Sequence, residues 1–332
     1  MLAAAAGTSG VPARAAASPS TAKAGTAREL KTDVLIIGGS FGGVAAALAA
    51  ARMGSNVILT EETAWIGGQA TTQGVPLDEH PWMEKFGRNQ SYADFRTGVR
   101  AYYRRHYPLT PAARADRYLN PGAGWVSKLC FEPRVGLAVL HEMLAPHLSA
   151  GRIVILTRHR PLAVEMAGDH ARAVTVHDEL AGMRRTLSAP YILDATETGE
   201  LLELGRIEHV VGAESQAETG EPNALEGRAD PLDQMGFTHV AALDYRPGEE
   251  HVIARPKDYD RLQPRFRRED PFGMTRAAVP DLFGVTRDYY GGPIHPGAYA
   301  ISPWTFRRLF CRSNFVPGAF ASDITSVIWV NE

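Results

Sequence analysis

A glycine-rich turn set between an apolar strand and an alanine-rich helix constrains this 332-residue chain more than any other feature. From Thr32 the sequence reads TDVLIIGGSFGGVAAALAAARMGSNVILTEE, and its periodicity changes twice within that stretch. Residues 34–37 form a continuous apolar run with β-branched side chains, the pattern of a parallel strand covered on both faces. Gly38, Gly39, Gly42 and Gly43 supply a turn. Residues 44–53 are helix-compatible, Gly54 stands where a helix C-cap is wanted, and residues 56–60 predict a second strand. A strand–turn–helix–strand unit of this kind belongs to an α/β fold built on a parallel sheet.

The chemistry of the turn follows from its geometry. Glycines let the backbone approach a pyrophosphate, and the helix start offers unpaired N–H groups and about half a positive charge. In strict G-x-G-x-x-G register the positions are Gly38, Ser40 and Gly43, so a small hydroxyl residue able to donate to phosphate replaces the middle glycine. Glu61 ends the second strand, 23 positions after Gly38, where a carboxylate can accept both ribose hydroxyls; Glu62 is the alternative. The turn alone admits either NAD or FAD. The text that follows, TAWIGGQATTQGV, adds a second glycine pair that lets backbone pass close to a flat ring system, with Gln69 and Thr71 as candidate polar contacts. Much later TLSAPYILDATETGELLEL predicts a strand at 191–194 running into an ATETG turn.

Four stretches together, DVLIIGGSFGGVAAALAAARMGSNVILTEE, WIGGQATTQG, GWVSKLCFEPRV and ILDATETGELLELGRIEHVVGAESQAETGEP, resemble the FAD-dependent oxidoreductase family of glutathione-reductase-like and fumarate-reductase-like flavoproteins. The resemblance covers residues 30–332 and implies an α/β fold: a Rossmann-like FAD-binding domain with a parallel central sheet and a β-meander, plus a strand-rich cap or substrate region. It implies FAD as cofactor. Gly38, Gly39, Ser40, Phe41, Gly42 and Gly43 would hold the pyrophosphate, Glu61 the adenosine ribose, and Gly67, Gly68 and Gln69 the ribityl chain or flavin. Ala195, Thr196 and Gly199 would lie near the dinucleotide, and the backbone of residues 158–162 would read the adenine. The implied activity is hydride transfer between bound flavin and a small organic substrate. Two alternatives stand beside it: an incomplete, non-catalytic flavin-binding fragment of a longer flavoprotein, and a NAD-dependent dehydrogenase, in which IGGQ and DATETG would have no role. Members of the family usually return near the C-terminus with a glycine turn and a helix that close over the flavin. Here SDITSVIWVNE ends in an apolar β-rich run, which predicts an exposed strand end and a missing closing segment.

The expected organisation is a disordered tail or signal remnant at 1–28, an FAD-binding domain at 29–204 with an insertion at about 70–128, and a substrate or cap region at 205–332. The tail is Ala/Ser/Thr/Gly-rich without an aromatic residue and carries an A-x-A pattern at 13–15, so the chain is either cytoplasmic or exported through an upstream twin-arginine-type signal. The aromatic residues Tyr92, Phe95, Tyr102, Tyr103 and Tyr107 read as core, and PRVGLAVLHEMLAPHLSAG as an amphipathic helix ending at Gly151.

Composition narrows the partners. With 35 Lys+Arg against 37 Asp+Glu the chain lacks the clustered cationic charge that nucleic acid demands. No run approaches the ~18 apolar residues of a membrane span. No metal-ligand spacing and no nucleophile motif are present. Cys130 and Cys311 read as packed thiols. Among eleven histidines, His239 on an alternating strand and His251 after two acids are the candidates for proton transfer, each set against a plainer reading as core or surface residue. Arg307 and Arg308 read either as ligands of an anionic substrate or, more simply, as a solvated helix face. Substrate identity and oligomeric state are not legible in these residues.

Overall fold

Alternation along one strand decides how the layers stack. The computed structural model describes residues 29–236, 238–262 and 303–330; the expected tail at 1–28 lies outside them. Strand β1 (Glu29–Lys31) leads into β2 (Val34–Ile37), helix α1 (Phe41–Arg52) and β3 (Val57–Glu61). Leu35 and Ile37 point to one face and Ile36 to the other, all three fully buried. Such a strand needs cover on both sides, which is why its apolar run is unbroken.

β2 lies between β3 and β8 (Tyr191–Asp194), with β4 (Ile153–Thr157) beyond β3, and every pairing is parallel. Read in chain order, the strands run third, second, first, fourth across the sheet. The winding direction therefore reverses between β2 and β8, and open α/β sheets take ligands in the crevice at the carboxyl ends of such a reversal.

Between β3 and β4 the chain inserts helices α2 (Gln90–His106), α3 (Pro111–Ala115) and α4 (Pro133–Ser149). Helices α1, α2 and α4 build the core on the Ile36 face, with Leu59, Phe95, Tyr103, Val139 and Leu144 inside it. The aromatic run is core as its composition predicts: Phe95 and Tyr103 are buried, and Tyr92 packs edge-on to Phe41. Arg96 and Arg100 of α2 are buried as well, ion-paired with Glu79 and Glu84. Buried charge is tolerated there because its donors are matched. Arg100 Nε donates to Leu119 O at 2.9 Å, and Ser127 Oγ donates to Glu79 at 2.7 Å.

The other face of the sheet is covered by an antiparallel meander, β5 (His159–Ala167), β6 (His170–Asp178) and β7 (Met183–Ser188), with β1 added in parallel to β7. Val174, Val176 and Leu187 of the meander pack on Leu35, Ile37 and Ile58.

After β8 the described chain carries short helices α5 (Glu200–Leu204), α6 (Gln216–Thr219), α7 (Tyr259–Leu262) and α8 (Pro303–Phe306). It also carries an antiparallel sheet of β9 (Thr238–Tyr245), β10 (Arg308–Phe310) and β11 (Asp323–Val330). The C-terminal apolar run is not the exposed strand end that its sequence predicts. β11 is the central strand, paired with β9 along residues 323–330 and with β10 at Ile324 and Thr325. Strand N–H and C=O groups require partners, and here one partner comes from far upstream, where no local pattern announces it.

Two neighbouring glycines test the packing of α1 on β2. A Cβ on Gly43 would lie 2.1 Å from the Gly38 carbonyl oxygen, whereas one on Gly42 would meet only Ser40 Oγ at 3.8 Å. Gly43→Ala is expected to destabilise the protein by about 1–3 kcal/mol through forced backbone movement. Gly42→Ala is expected to be neutral or to stabilise by up to about 1 kcal/mol. Thermal melts of both variants check this, and a Gly43→Ala melt at or above the wild-type temperature contradicts the packing described.

Candidate functional site

The turn from β2 into α1 is built by backbone crowding. Gly38 has φ +99° and lies so close to the turn after β8 that a Cβ would sit 2.2 Å from Ala195 O. Ala195 N in turn donates to Ile37 O at 2.7 Å. Ser40, in the middle position of the motif, has φ −55° and caps α1 by accepting from Gly43 N at 3.2 Å. An L-residue therefore fits there without strain, and its hydroxyl serves the helix end. The earlier first-turn N–H groups of α1 have no intrahelical acceptor, and the N-cap Ser40 lines the cleft at the carboxyl ends of β2, β3 and β8. The Phe41 side chain turns away from it onto Tyr92 and Phe95.

Glu61, the last residue of β3, is buried and pinned. Its Oε2 accepts from Gly39 N at 3.0 Å and its Oε1 from Thr63 N at 2.8 Å. Each oxygen keeps acceptor capacity for a further donor. The adjacent Glu62 is exposed and makes no such pair of backbone contacts among the described residues. Desolvation, then Glu200 and Glu61, push its acid above the ordinary carboxylate value.

The second glycine pair is tied to the first, since Gly67 N donates to Gly39 O at 2.7 Å. Gly67 and Gly68 have φ of +112° and +47°, and the chain then makes a single tight turn over Gly68–Ala70. That turn changes which polar residues reach the cleft. Thr71 is buried and donates to Ile66 O at 2.7 Å, bracing the loop. Thr72 and Gln73 border the cleft, where Gln69 and Thr71 were expected.

The cleft has a volume of about 270 Å³. Of the residues expected from sequence, Gly38, Ser40, Glu61, Glu62, Ala195 and Thr196 line it. Gly39, Gly67, Gly68 and Gly199 shape the loops around it, Gly199 as the left-handed N-cap of α5, and Phe41, Gly42 and Gly43 form the first turn of α1. The structure adds Thr60, Thr63, Thr72, Gln73, His159, Pro161, Glu197 and Glu200. His159 and Pro161 fall inside the 158–162 segment already suspected of reading adenine; Glu197 and Glu200 sit in the DATETGE text without a pattern to distinguish them. His159 is buried, with Nδ1 2.7 Å from Thr157 O and Nε2 3.5 Å from Asp178. Four glutamates border the cleft and, among the described residues, no Lys or Arg does.

The two histidines singled out by sequence lie apart from this cleft. His251 is exposed, with Nε2 2.7 Å from Glu249. His239 lies on β9, opposite Trp329 of β11. The neighbouring Val240 approaches Gly74, so His239, on the opposite face of the strand, points away from the loop after the second glycine pair. Arg307 and Arg308 do not form a solvated helix face, because α8 ends at Phe306. Arg307 is largely buried and pairs with Asp78 at 3.2 Å, and Arg308 donates from β10 to Gly122 O at 2.8 Å. Among the described residues no three His, Cys, Asp or Glu are placed to hold a metal, and no helix is long and apolar enough to cross a membrane.

A parallel sheet whose strand order reverses, with helices on one face and a β-meander on the other, a glycine turn at the switch point and a carboxylate closing the second strand define a Rossmann-like, dinucleotide-binding fold. The sequence matches the FAD dependent oxidoreductase family over residues 33–297, and the chain belongs to that family, with FAD as its cofactor. Similar solved structures include a geranylgeranyl bacteriochlorophyll reductase-like protein from Thermoplasma acidophilum, at 17% identity over 66% of this chain and 47% of that one, TM-score 0.36. A glycerol-3-phosphate dehydrogenase from Bacillus halodurans complexed with FAD matches at 15% identity over 59% of this chain and 44% of that one, TM-score 0.36. L-proline dehydrogenase from P. horikoshii matches at 18% identity over 52% of this chain and 23% of that one, TM-score 0.28. The chain thus spans less than half the length of each of these structures. Among curated proteins no sequence match is found.

A thiol beside a flavin can act as redox partner or attachment point, which gives the cysteines a consequence. Cys130 is fully buried against Gly124, and burial pushes its thiol up to about 12; Cys311 is buried too. Thiolate, not thiol, is the reactive form. Neither cysteine is expected to react with a disulfide reagent such as DTNB in the native protein at pH 8, and both are expected to react in urea. Rapid native labelling of Cys130, read by mass spectrometry, contradicts its role as a packed thiol.

Proposed function

We propose that this protein transfers a hydride between FAD and a small organic substrate, with the cleft over β2, β3 and β8 as the dinucleotide seat. The observation that carries the reading is the convergence on one cleft of the α1 N-terminus, the Gly38 turn and the pinned carboxylate of Glu61. The residues present suit the dinucleotide. The start of α1 would hold the diphosphate, and Glu61, already oriented by two backbone N–H groups, would accept from ribose hydroxyls at little further ordering cost. The backbone of 158–162, which brings His159 and Pro161 to the cleft, suits the adenine end, and the Gly67–Gly68 loop suits the ribityl and flavin side. When bound, FAD supplies two-electron chemistry, being reduced as the substrate is oxidised or the reverse. The chain's own part is to hold the dinucleotide, orient it and exclude water, the last through the β9–β11–β10 sheet, whose Ser326 donates to Gly74 O beside the glycine loop.

Purified protein is expected to carry absorbance near ~450 nm that bleaches on anaerobic reduction and returns in air, the signature of bound flavin. A colourless protein that instead quenches NADH fluorescence contradicts the reading in favour of a nicotinamide enzyme. Within the site, Glu61→Ala is expected to weaken FAD binding by roughly ten- to hundredfold, the loss of charge-assisted hydrogen bonds worth about 1.5–3 kcal/mol. Glu62→Ala is expected to change it far less. FAD titration of the apo-protein reads both, and the reverse order places the ribose contact on Glu62.

A further inference from the structure

One carboxylate stands where an anion would bind. Asp194 fixes the turn after β8 by accepting from Thr196 N and Leu201 N, each at 3.0 Å. That turn projects Glu197 toward the glycine loops. A Cβ added at Gly68 would meet Glu197 Oε1 at 2.8 Å, Ser40 Cα at 3.3 Å and Phe41 N at 3.4 Å, so the carboxylate and the first amide of α1 share one small space. Gln73 Nε2 donates to Glu197 Oε2 at 3.1 Å and holds the side chain there. The charged and titratable groups around it are Glu61 on β3, Glu62 just after it, Glu200 on α5 and His159 on β5, with Arg160 of β5 acting on Glu62. Desolvation, then Glu61 and Glu200, raise the Glu197 acid above the ordinary carboxylate value.

We propose that Glu197 is a proton-linked gate on the dinucleotide site, its carboxylate holding the place in front of helix α1 that a cofactor diphosphate must take. The inference rests on the reading of this cleft as the FAD seat. A carboxylate and a diphosphate in contact repel in a site that no Lys or Arg lines among the described residues, and a helix start offers only about half a charge to offset them. Protonation resolves the conflict: the neutral acid keeps an oxygen for Gln73 and gains an O–H that can donate to a phosphate oxygen. Binding then takes up a proton. Below the pKa of Glu197 in the free protein, this group gives affinity no dependence on pH. Above it, the dissociation constant climbs by up to about tenfold per pH unit, levelling off only past the higher pKa of the bound state.

The test is FAD binding by the full chain between pH 5.5 and 8.5, read by quenching of flavin fluorescence, for the wild type, Glu197→Gln and Glu197→Ala. Proton uptake is read by calorimetry in two buffers of different ionisation enthalpy. Wild-type binding is expected to weaken as pH rises with uptake of a proton. Both variants are expected to lose about one proton of that linkage and to bind about tenfold or more tightly than wild type at pH 8. Towards low pH wild type and Glu197→Gln, whose amide can also donate to phosphate, are expected to draw together, with Glu197→Ala weaker by the lost hydrogen bond. Parallel pH slopes overturn the gate while leaving the FAD reading intact, as does weaker binding by Glu197→Gln at every pH, which would make the carboxylate an acceptor for cofactor hydroxyls. Absence of FAD binding by all three proteins at every pH overturns the FAD reading and the gate with it.

Discussion

The structure depends on a backbone approach too close for side chains. Gly43 meets the Gly38 carbonyl, and Gly38 meets the Ala195 carbonyl, at distances where a Cβ would have to overlap oxygen. These contacts bring the start of α1, the end of β2 and the turn after β8 to one point. Because β2 and β8 flank the reversal in strand order, that point is also where the sheet opens a crevice. Packing and ligand geometry are thus consequences of the same absent methyl groups. The second glycine loop joins the arrangement through the bond from Gly67 N to Gly39 O, so the two loops form a single unit.

Electrostatics at that point are unusual for an anion site. The favourable field comes from helix amides and the α1 dipole, while the cleft border is acidic: Glu61, Glu62, Glu197 and Glu200. Glu61 is engaged by two backbone N–H groups, one of them from Gly39 of the glycine turn. Among the described residues the Glu197 carboxylate accepts a hydrogen bond from the Gln73 amide alone, and its burial and acidic neighbours work against its charge. The acidic border works against an anion at this point, while the helix start favours one.

Behind the glycine loops lies a buried polar scaffold. Glu79 and Glu84, just beyond the loop, ion-pair with Arg96 and Arg100 of α2, and Glu79 also receives Ser127 Oγ and Tyr92 OH. Removing one partner from such a network strands a buried charge at a cost of about 3–5 kcal/mol, whereas replacing the whole set by apolar residues is often neutral. The network serves position more than stability: it ties the segment leaving the glycine loop to the helix that packs beneath α1. On the far side, Arg307 pairs with Asp78 and Ser326 bonds Gly74, so the β9–β11–β10 sheet is anchored to the same segment.

By itself the sequence determined the β2–α1–β3 unit, the glycine turn, the acid at Glu61 and the aromatic core of α2, because each depends on neighbours within one or two turns of chain. Period-two and helical patterns, capping residues and obligatory glycines all act at that range. Only the tertiary structure decided the rest. Thr71 braces its own loop while Thr72 and Gln73 reach the cleft, since one tight turn rotates the side chains that follow it. Arg307 and Arg308 are tied to Asp78 and Gly122, partners far off in the chain. The apolar C-terminal run became a central strand because residues 238–245 lie beside it. Glu197 faces α1 only because β8 pairs with β2, bringing together residues more than a hundred positions apart, and a contact of that range leaves no periodicity in the sequence to read.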